Sequence, residues 1–195
     1  MIRVAVIDDH YAVRLGLDAA LRVHPDMVPV GAVASAGELA SLLYRTAPDV
    51  LIVDYRLPGE DGLDICLRLK SQVPAPALLM HSAFADDWLT VPAILAGADG
   101  IVHKGASGIE LADAVRTVAA GGTALPPVTP ELLAATAEAL PPDDHPILGM
   151  LVHGVPRCEV ARVMRLDPPA LRARLARMLG ALRAPADAAA ARRPQ

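Results

Sequence analysis

Four short apolar runs in the first half of the chain each end in polar residues, and this pattern restricts the fold more than any other feature. Residues 2–7 run into Asp8-Asp9, 50–53 into Asp54, 77–80 into His81-Ser82, and 100–102 through His103 into Lys104. Brief apolar runs flanked by turn residues read as buried parallel strands. In open α/β sheets, ligands bind beyond the carboxyl ends of the strands. The chain therefore gathers three carboxylates, a hydroxyl and an ammonium at one end of one sheet. Lys104 is one of only two lysines, the other being Lys70, so its position at a strand end carries weight.

That set suits phosphoryl transfer to an aspartate. Adjacent carboxylates repel, which raises their pKa values unless a cation sits among them. Mg²⁺ is the natural cation, because it takes hard oxygen ligands and keeps several waters. An aspartate beside it can attack a phosphorus in line, and catalysis then consists mostly of positioning and charge neutralisation. Lys104 would hold a phosphoryl oxygen as a point charge, and Ser82 would donate a hydrogen bond to another.

The coarse reading of the front half is five β-α units. Strands are expected near 2–7, 28–34, 49–53, 76–81 and 99–102, and helices near 11–22, 36–46, 62–72, 87–96 and 107–120. Val13, Leu17 and Leu21, then Leu39, Leu42 and Leu43, supply helical stripes. Such alternation implies a parallel sheet with helices on both faces. The character changes at Gly121-Gly122-Thr123. Residues 122–141, with Pro126, Pro127, Pro130 and Pro141, read as a semi-rigid linker carrying one short helix. Three helices follow. The first covers about 145–153 and closes at Gly154. The second covers 156–165, with Val160, Ala161, Val163 and Met164 inward. The third starts at Asp167 as N-cap with Pro168 first in the helix, and runs to about Leu182. Its apolar stripe is Leu171, Leu175, Met178, Leu179 and Leu182.

Charge is uneven. Residues 1–121 hold fifteen acidic and nine basic side chains, a balance of −6, whereas 157–183 hold seven arginines against Glu159 and Asp167, a balance of +5. An acidic front with a basic stretch behind suggests that the back of the chain meets an anion. Cys66 and Cys158 are far apart and form no CxxC, which fits a reducing cytosol. The six histidines show no paired ligand spacing, which argues against zinc. No apolar stretch reaches membrane-spanning length and the first residues lack a leader pattern, so a cytoplasmic protein is expected.

The ordered set Ile7-Asp8-Asp9-His10, Val53-Asp54-Tyr55-Arg56-Leu57-Pro58-Gly59-Glu60-Asp61-Gly62, His81-Ser82-Ala83 and His103-Lys104-Gly105 resembles a two-component response-regulator receiver domain over about residues 1–121. The resemblance implies a flavodoxin-like, doubly wound sheet in the order 2-1-3-4-5. It makes Asp54 the phosphoacceptor, supplied by a histidine kinase or a small phosphodonor. Asp9 would bind Mg²⁺ directly, Asp8 through water, and the Arg56 carbonyl would be a further ligand, while Ser82 and Lys104 sense the phosphoryl group. One departure concerns the switch: the family places an aromatic three residues before the lysine, and here that residue is Ile101.

Residues 140–182 resemble the helix-turn-helix of NarL/LuxR-type regulators, carried by Gly154–Ala161 and Leu166–Leu175. The resemblance implies a small all-α DNA-binding domain over 142–183, with its recognition helix from Asp167. Arg172, Ala173 and Ala176 would face bases, and Arg165, Arg174 and Arg177 would lie near phosphates. Pro146 stands in the first helix of this domain, so that helix is expected to start late, capped by Asp143 or Asp144. The basic residue often found at the Ala176 position is missing. The family's fourth, dimerising helix is interrupted by Pro185, leaving 184–195 as a frayed tail. The expectation is a non-enzymatic regulator, phosphorylated at Asp54, that binds DNA as a homodimer. Two alternatives stay open: a regulator of the same build that works without phosphorylation, and an interaction or phosphate-relay module whose C-terminal domain no longer binds DNA. An aspartate-dependent phosphohydrolase is the least supported, because no second general acid can be read.

Overall fold

Alternation along the central strands sorts the core into two layers. Residues 4, 6, 50 and 52 face one side of the sheet, and 5, 7, 51 and 53 face the other. The computed structural model describes residues 1–72, 74–83 and 87–190. Strands β1 (Ile2–Ile7), β2 (Met27–Val33), β3 (Val50–Asp54), β4 (Ala77–Ser82) and β5 (Gly100–His103) are parallel, in the order β2-β1-β3-β4-β5. This is the expected order. Helices α1 (Tyr11–Arg22) and α5 (Gly108–Ala119) cover the first face, with Leu17, Leu21, Leu111 and Val115. Helices α2 (Ala36–Thr46), α3 (Gly62–Leu69) and α4 (Asp87–Ala96) cover the second. A parallel sheet covered on both faces explains why β3 is buried along its whole length.

The segment read as a semi-rigid linker with one short helix carries that helix and is laid against the sheet. Ala124 N donates to Asp99 O at 2.8 Å and Ile101 N donates to Ala124 O at 2.9 Å, so the backbone at 124 pairs with the open edge of β5. Leu125, Val128, Leu132 and Leu133 then pack on the core, the last two from helix α6 (Pro130–Glu138). Proline spacing alone suggests a spacer, but the apolar residues between the prolines gain more from burial than from extension into water.

A single 3₁₀ turn (Pro142–Asp144) leads into α7 (His145–Val152), α8 (Arg157–Met164) and α9 (Pro168–Ala190). Pro146 lies in the first turn of α7, where a missing N–H leaves no bond broken. Asp144 precedes that helix without capping it, because its carboxylate accepts from Arg174 Nε instead. Gly154, at φ +76°, ends α7 in the left-handed conformation expected of it. Ala170 N donates to Asp167 Oδ1 at 2.7 Å, the expected N-cap. Two further expectations are corrected. Val163 is 54% exposed rather than inward; Val160 and Ala161 are the buried residues of α8, and Met164 packs against the same core. Helix α9 continues through Pro185 to Ala190, well past Leu182. A proline removes one ladder bond, and the surrounding alanines are the strongest helix formers. Residues 191–195 of the expected tail lie outside the described residues.

The C-terminal helices share the receiver's second core layer. Leu171, Leu175, Met178 and Leu179 of α9 are buried in one cluster with Leu63 and Leu67 of α3 and Leu89 and Leu95 of α4. The apolar stripe of α9 thus rests on helices α3 and α4.

Candidate functional site

The carboxyl ends of β1, β3, β4 and β5 meet at a cleft of about 240 Å³ lined by His10, Asp54, Arg56, Ser82 and Lys104, among others. Parallel register sets this convergence: Ile7 lies opposite Val53, Asp54 opposite His81, and Ser82 opposite His103. Asp8 and Asp54 therefore emerge one step past a buried apolar residue, and Ser82 and Lys104 two steps past Met80 and Val102. Asp8 is 1% exposed, Asp54 3% and Ser82 1%.

Lys104 Nζ reaches across the sheet to Asp8 Oδ2 at 2.8 Å and Asp54 Oδ2 at 2.9 Å. Its backbone is pinned first, since Lys104 N donates to Ser82 O at 2.9 Å. Asp8 Oδ1 accepts from His10 N at 2.8 Å, and Arg14 Nη1 donates to the Asp8 and Asp9 carbonyls at 2.7 and 3.0 Å. The β1–α1 loop is thus held from both sides. Burial pushes the Asp54 carboxyl above the ordinary carboxylate range; the Lys104 ammonium opposes this and the Asp8 charge adds to it. Burial works against the Lys104 ammonium, but Asp54 and Asp8 outweigh it and raise its pKa. Burial also drives the neighbouring His81 imidazole down to about 4, with Lys104 adding to the shift. Its Nδ1 is enclosed without a hydrogen-bond partner among the described residues.

The donor set fits a hard divalent cation. Asp8, Asp9, His10 and Asp54 each offer one ligand atom, all within 4.8 Å of one another. Three carboxylates face one ammonium, which leaves two negative charges to be balanced. Asp9 Oδ1 is enclosed and takes no hydrogen bond from the described residues, with His10 Nδ1 beside it at 2.7 Å. The Asp54 Oδ2 contact with Lys104 is an ion pair too far out of line for a full hydrogen bond. An enclosed carboxylate oxygen without a donor is costly unless a cation completes it.

Of the residues read from sequence, Asp8, Asp9, Asp54, Arg56, Ser82 and Lys104 are brought together here. Ile101 is not at the cleft. It is 9% exposed within the layer under α4. Sequence reasoning passes over His10 as a lining side chain and Arg14 as a brace. Both follow closely on Asp8-Asp9 in the chain, and that nearness is the available signal. On α9, Arg172, Ala173, Ala176 and Arg177 form an exposed face, with Arg165 exposed before it. Arg174 is half-buried and held inside the domain, by Asp144 and by the Asp143 carbonyl at 2.6 Å.

A family profile described as response regulator receiver domain matches residues 4–116. The chain is also 33% identical to the DNA-binding transcriptional activator DevR/DosR of Mycobacterium tuberculosis over 192 residues, 93% of this chain and 88% of that one. The chain is a response regulator of the NarL/LuxR type. A LuxR-family two-component response regulator from Aurantimonas has the same fold at a TM-score of 0.60 and 29% identity, over 71% of this chain and 96% of that one. The match to the transcriptional regulatory protein LiaR of Bacillus subtilis is 35% identical but spans 62% of this chain and 57% of that protein, and so reaches little beyond the receiver. The response regulator RcsB of Salmonella typhimurium, at 20% identity and a TM-score of 0.59, aligns with 93% of this chain and 91% of that one, and supports the fold along nearly its full length. No helix among the described residues of this response regulator is long and apolar enough to cross a membrane.

Proposed function

We propose that this response regulator takes a phosphoryl group on Asp54, from a histidine kinase or a small phosphodonor, and regulates transcription by binding DNA as a homodimer. The observation that carries the first part is the Lys104 ammonium bridging Asp8 and Asp54 from the opposite side of the cleft. Asp9 and Asp54 would hold Mg²⁺ directly, Asp8 through water, with the Arg56 carbonyl as a further ligand. The ion would supply charge neutralisation at the transferring phosphoryl group. An Asp54 carboxylate oxygen forms the new P–O bond while the donor's P–N or P–O bond breaks and its electron pair leaves with the donor. Lys104 and Ser82 then hold the oxygens of the product, Lys104 leaving the carboxylates it bridges for the phosphoryl group.

The DNA reading rests on the exposed basic face of α9. Arg172 has the planar fork that matches the edge of guanine. Arg165 and Arg177 suit phosphates, whereas Arg174, engaged with Asp144, orients the helix. Ala173 and Ala176 bring the backbone close without donating. The test of the acceptor is labelling with a small phosphodonor in Mg²⁺: one acid-stable, base-labile phosphoryl group is expected, and labelling that persists in Asp54→Asn would sink the assignment. A second reading, regulation without phosphorylation, is favoured by Ile101, whose burial leaves no ring at that position to change places.

A further inference from the structure

The C-terminal half of α9 is tied, through Arg183, to the loop that follows the phosphoacceptor. Arg183 donates through Nη2 to Asp61 Oδ1 at 2.9 Å and Asp64 Oδ1 at 3.0 Å, and through Nη1 to Asp64 Oδ2 at 3.1 Å. Asp61 is the N-cap of α3 and accepts from Asp64 N at 3.0 Å. It closes the β3–α3 loop, residues 55–61, which starts at the residue after Asp54. That loop has little slack. Gly62 N donates to Tyr55 O at 2.8 Å, and a Cβ on Gly62 would stand 2.3 Å from the Asp54 carbonyl oxygen. A shift of the backbone at 54–56 is therefore passed to Asp61 and Asp64 rather than absorbed.

Farther from the cleft, Arg157 of α8 donates to Leu95 O at 2.6 Å, and its guanidinium fills the space beside Gly97 that a side chain would need. This anchor fixes the helices to α4. The Arg183 fork instead joins them to the loop of the phosphoacceptor.

We propose that Arg183 is a positioning residue for the phosphoacceptor loop: its fork on Asp61 and Asp64 holds the loop in the arrangement seen here, so that occupying Asp54 and releasing α9 at Arg183 both oppose that contact. This rests on the reading of Asp54 as phosphoacceptor and adds the route by which that site meets the helix proposed to bind DNA. The route does not pass through position 101, which fits an isoleucine there. Coupling of this kind is reciprocal: what the latch takes from occupancy of Asp54, occupancy takes from the latch.

The test is binding of beryllofluoride with Mg²⁺ to the full chain, followed by calorimetry and by the fluorescence of Trp88. Trp88 is the chain's single tryptophan, and its ring lies 5.7 Å from that of Tyr55. Arg183→Gln is expected to tighten binding about fivefold or more, the lower end of common allosteric couplings. Asp64→Asn changes a half-exposed side chain and keeps the test decisive if the arginine variant unfolds; it should tighten binding in the same sense. The double variant should add nothing to the arginine variant, and Arg183→Lys should restore part of the wild-type value. A general loosening of structure would give none of this non-additivity. Equal affinities in wild type and both single variants, or weaker binding in either, overturn the proposal. Wild type that binds no beryllofluoride at all overturns the phosphoacceptor reading and the latch with it, a result distinct from equal binding.

Discussion

In the receiver, the groups that face the cleft come from four strand ends, and each is aimed by the buried strand beneath it. On α9, the candidate DNA-facing residues occupy the side of the helix left over once its apolar side is packed. The first arrangement is rigid by construction, because Asp8, Asp54 and Ser82 cannot move without shifting β1, β3 or β4. The second depends on what covers Leu171, Leu175, Met178 and Leu179, and here the receiver contributes to that cover. One site is thus fixed by local topology, whereas the other is set by docking between the two parts of the chain.

The largest effect expected from breaking this comparison lies in the cleft. Asp54→Asn should abolish phosphoryl labelling outright, and Asp9→Ala should weaken Mg²⁺ binding far more than Asp64→Asn does in the absence of phosphoryl mimic. Titration calorimetry of the two variants decides it; equal weakening would mean that the metal is held elsewhere.

The shared core predicts the next effect. Leu175 is 1% exposed, and Leu175→Ala should cost about 2–5 kcal/mol. Because its neighbours include the receiver's α4, the substitution should lower the midpoint of a single transition. Two separate transitions, of which only one shifts, would show the two parts to be independent.

His81 gives a pH signature confined to the receiver. Its imidazole titrates near 4 when folded and near 6.5 in an unfolded chain. Between those values the unfolded state binds more protons, so stability rises with pH through that window and is fully present above it. The change is on the order of 2–3 kcal/mol. Denaturant melts at pH 4.5 and 7.5 should differ less in His81→Asn than in wild type; an unchanged difference would remove His81 as the cause.

On the α9 face the effects should be smaller and of two kinds. Arg172→Ala should cost roughly 1–3 kcal/mol in DNA affinity and relax preference at one position per half-site. Arg177→Ala should weaken all sequences alike and flatten the salt dependence, by about 0.9 in the log–log slope for each phosphate left without its cation. Selection from a random duplex pool, then binding at two salt concentrations, separates these. If no sequence is enriched and no salt-sensitive binding appears, the interaction-module reading becomes the better one. Smallest of all is the response to activation. With Ile101 in the aromatic's place, beryllofluoride should shift DNA affinity by about 1 kcal/mol, the low end of common couplings; a hundredfold change would contradict this.

The same contrast explains what is legible in the sequence. Strand ends can be read because an apolar run and the polar residue that stops it are adjacent in the chain. Asp8, Asp9, Asp54, Ser82 and Lys104 all stand out for that reason. The N-cap at Asp167 and the stop at Gly154 are equally local. Arg183 meets Asp64 across 119 positions and Arg174 meets Asp144 across 30, and nothing local marks an arginine for a partner that distant. Val163 misleads for a related reason: an eight-residue helix such as α8 has too few turns for its buried side to be told from sequence. The strap at 124–140 is hidden because prolines announce extension but say nothing about what the extended chain lies against.

That strap has a consequence for how the molecule can be divided. Strand β5 closes one side of the sheet, and the backbone at Ala124 occupies donors and acceptors along the outward edge of β5. A chain ending at residue 121, where the receiver reads as complete in sequence, would leave that row unpaired and uncover the apolar side of α4. An unprotected strand beside an apolar patch is a template for self-association. The receiver of this regulator is therefore not a detachable module: grafted onto another output domain without residues 122–140, it would carry an adhesive border that the native chain keeps sealed.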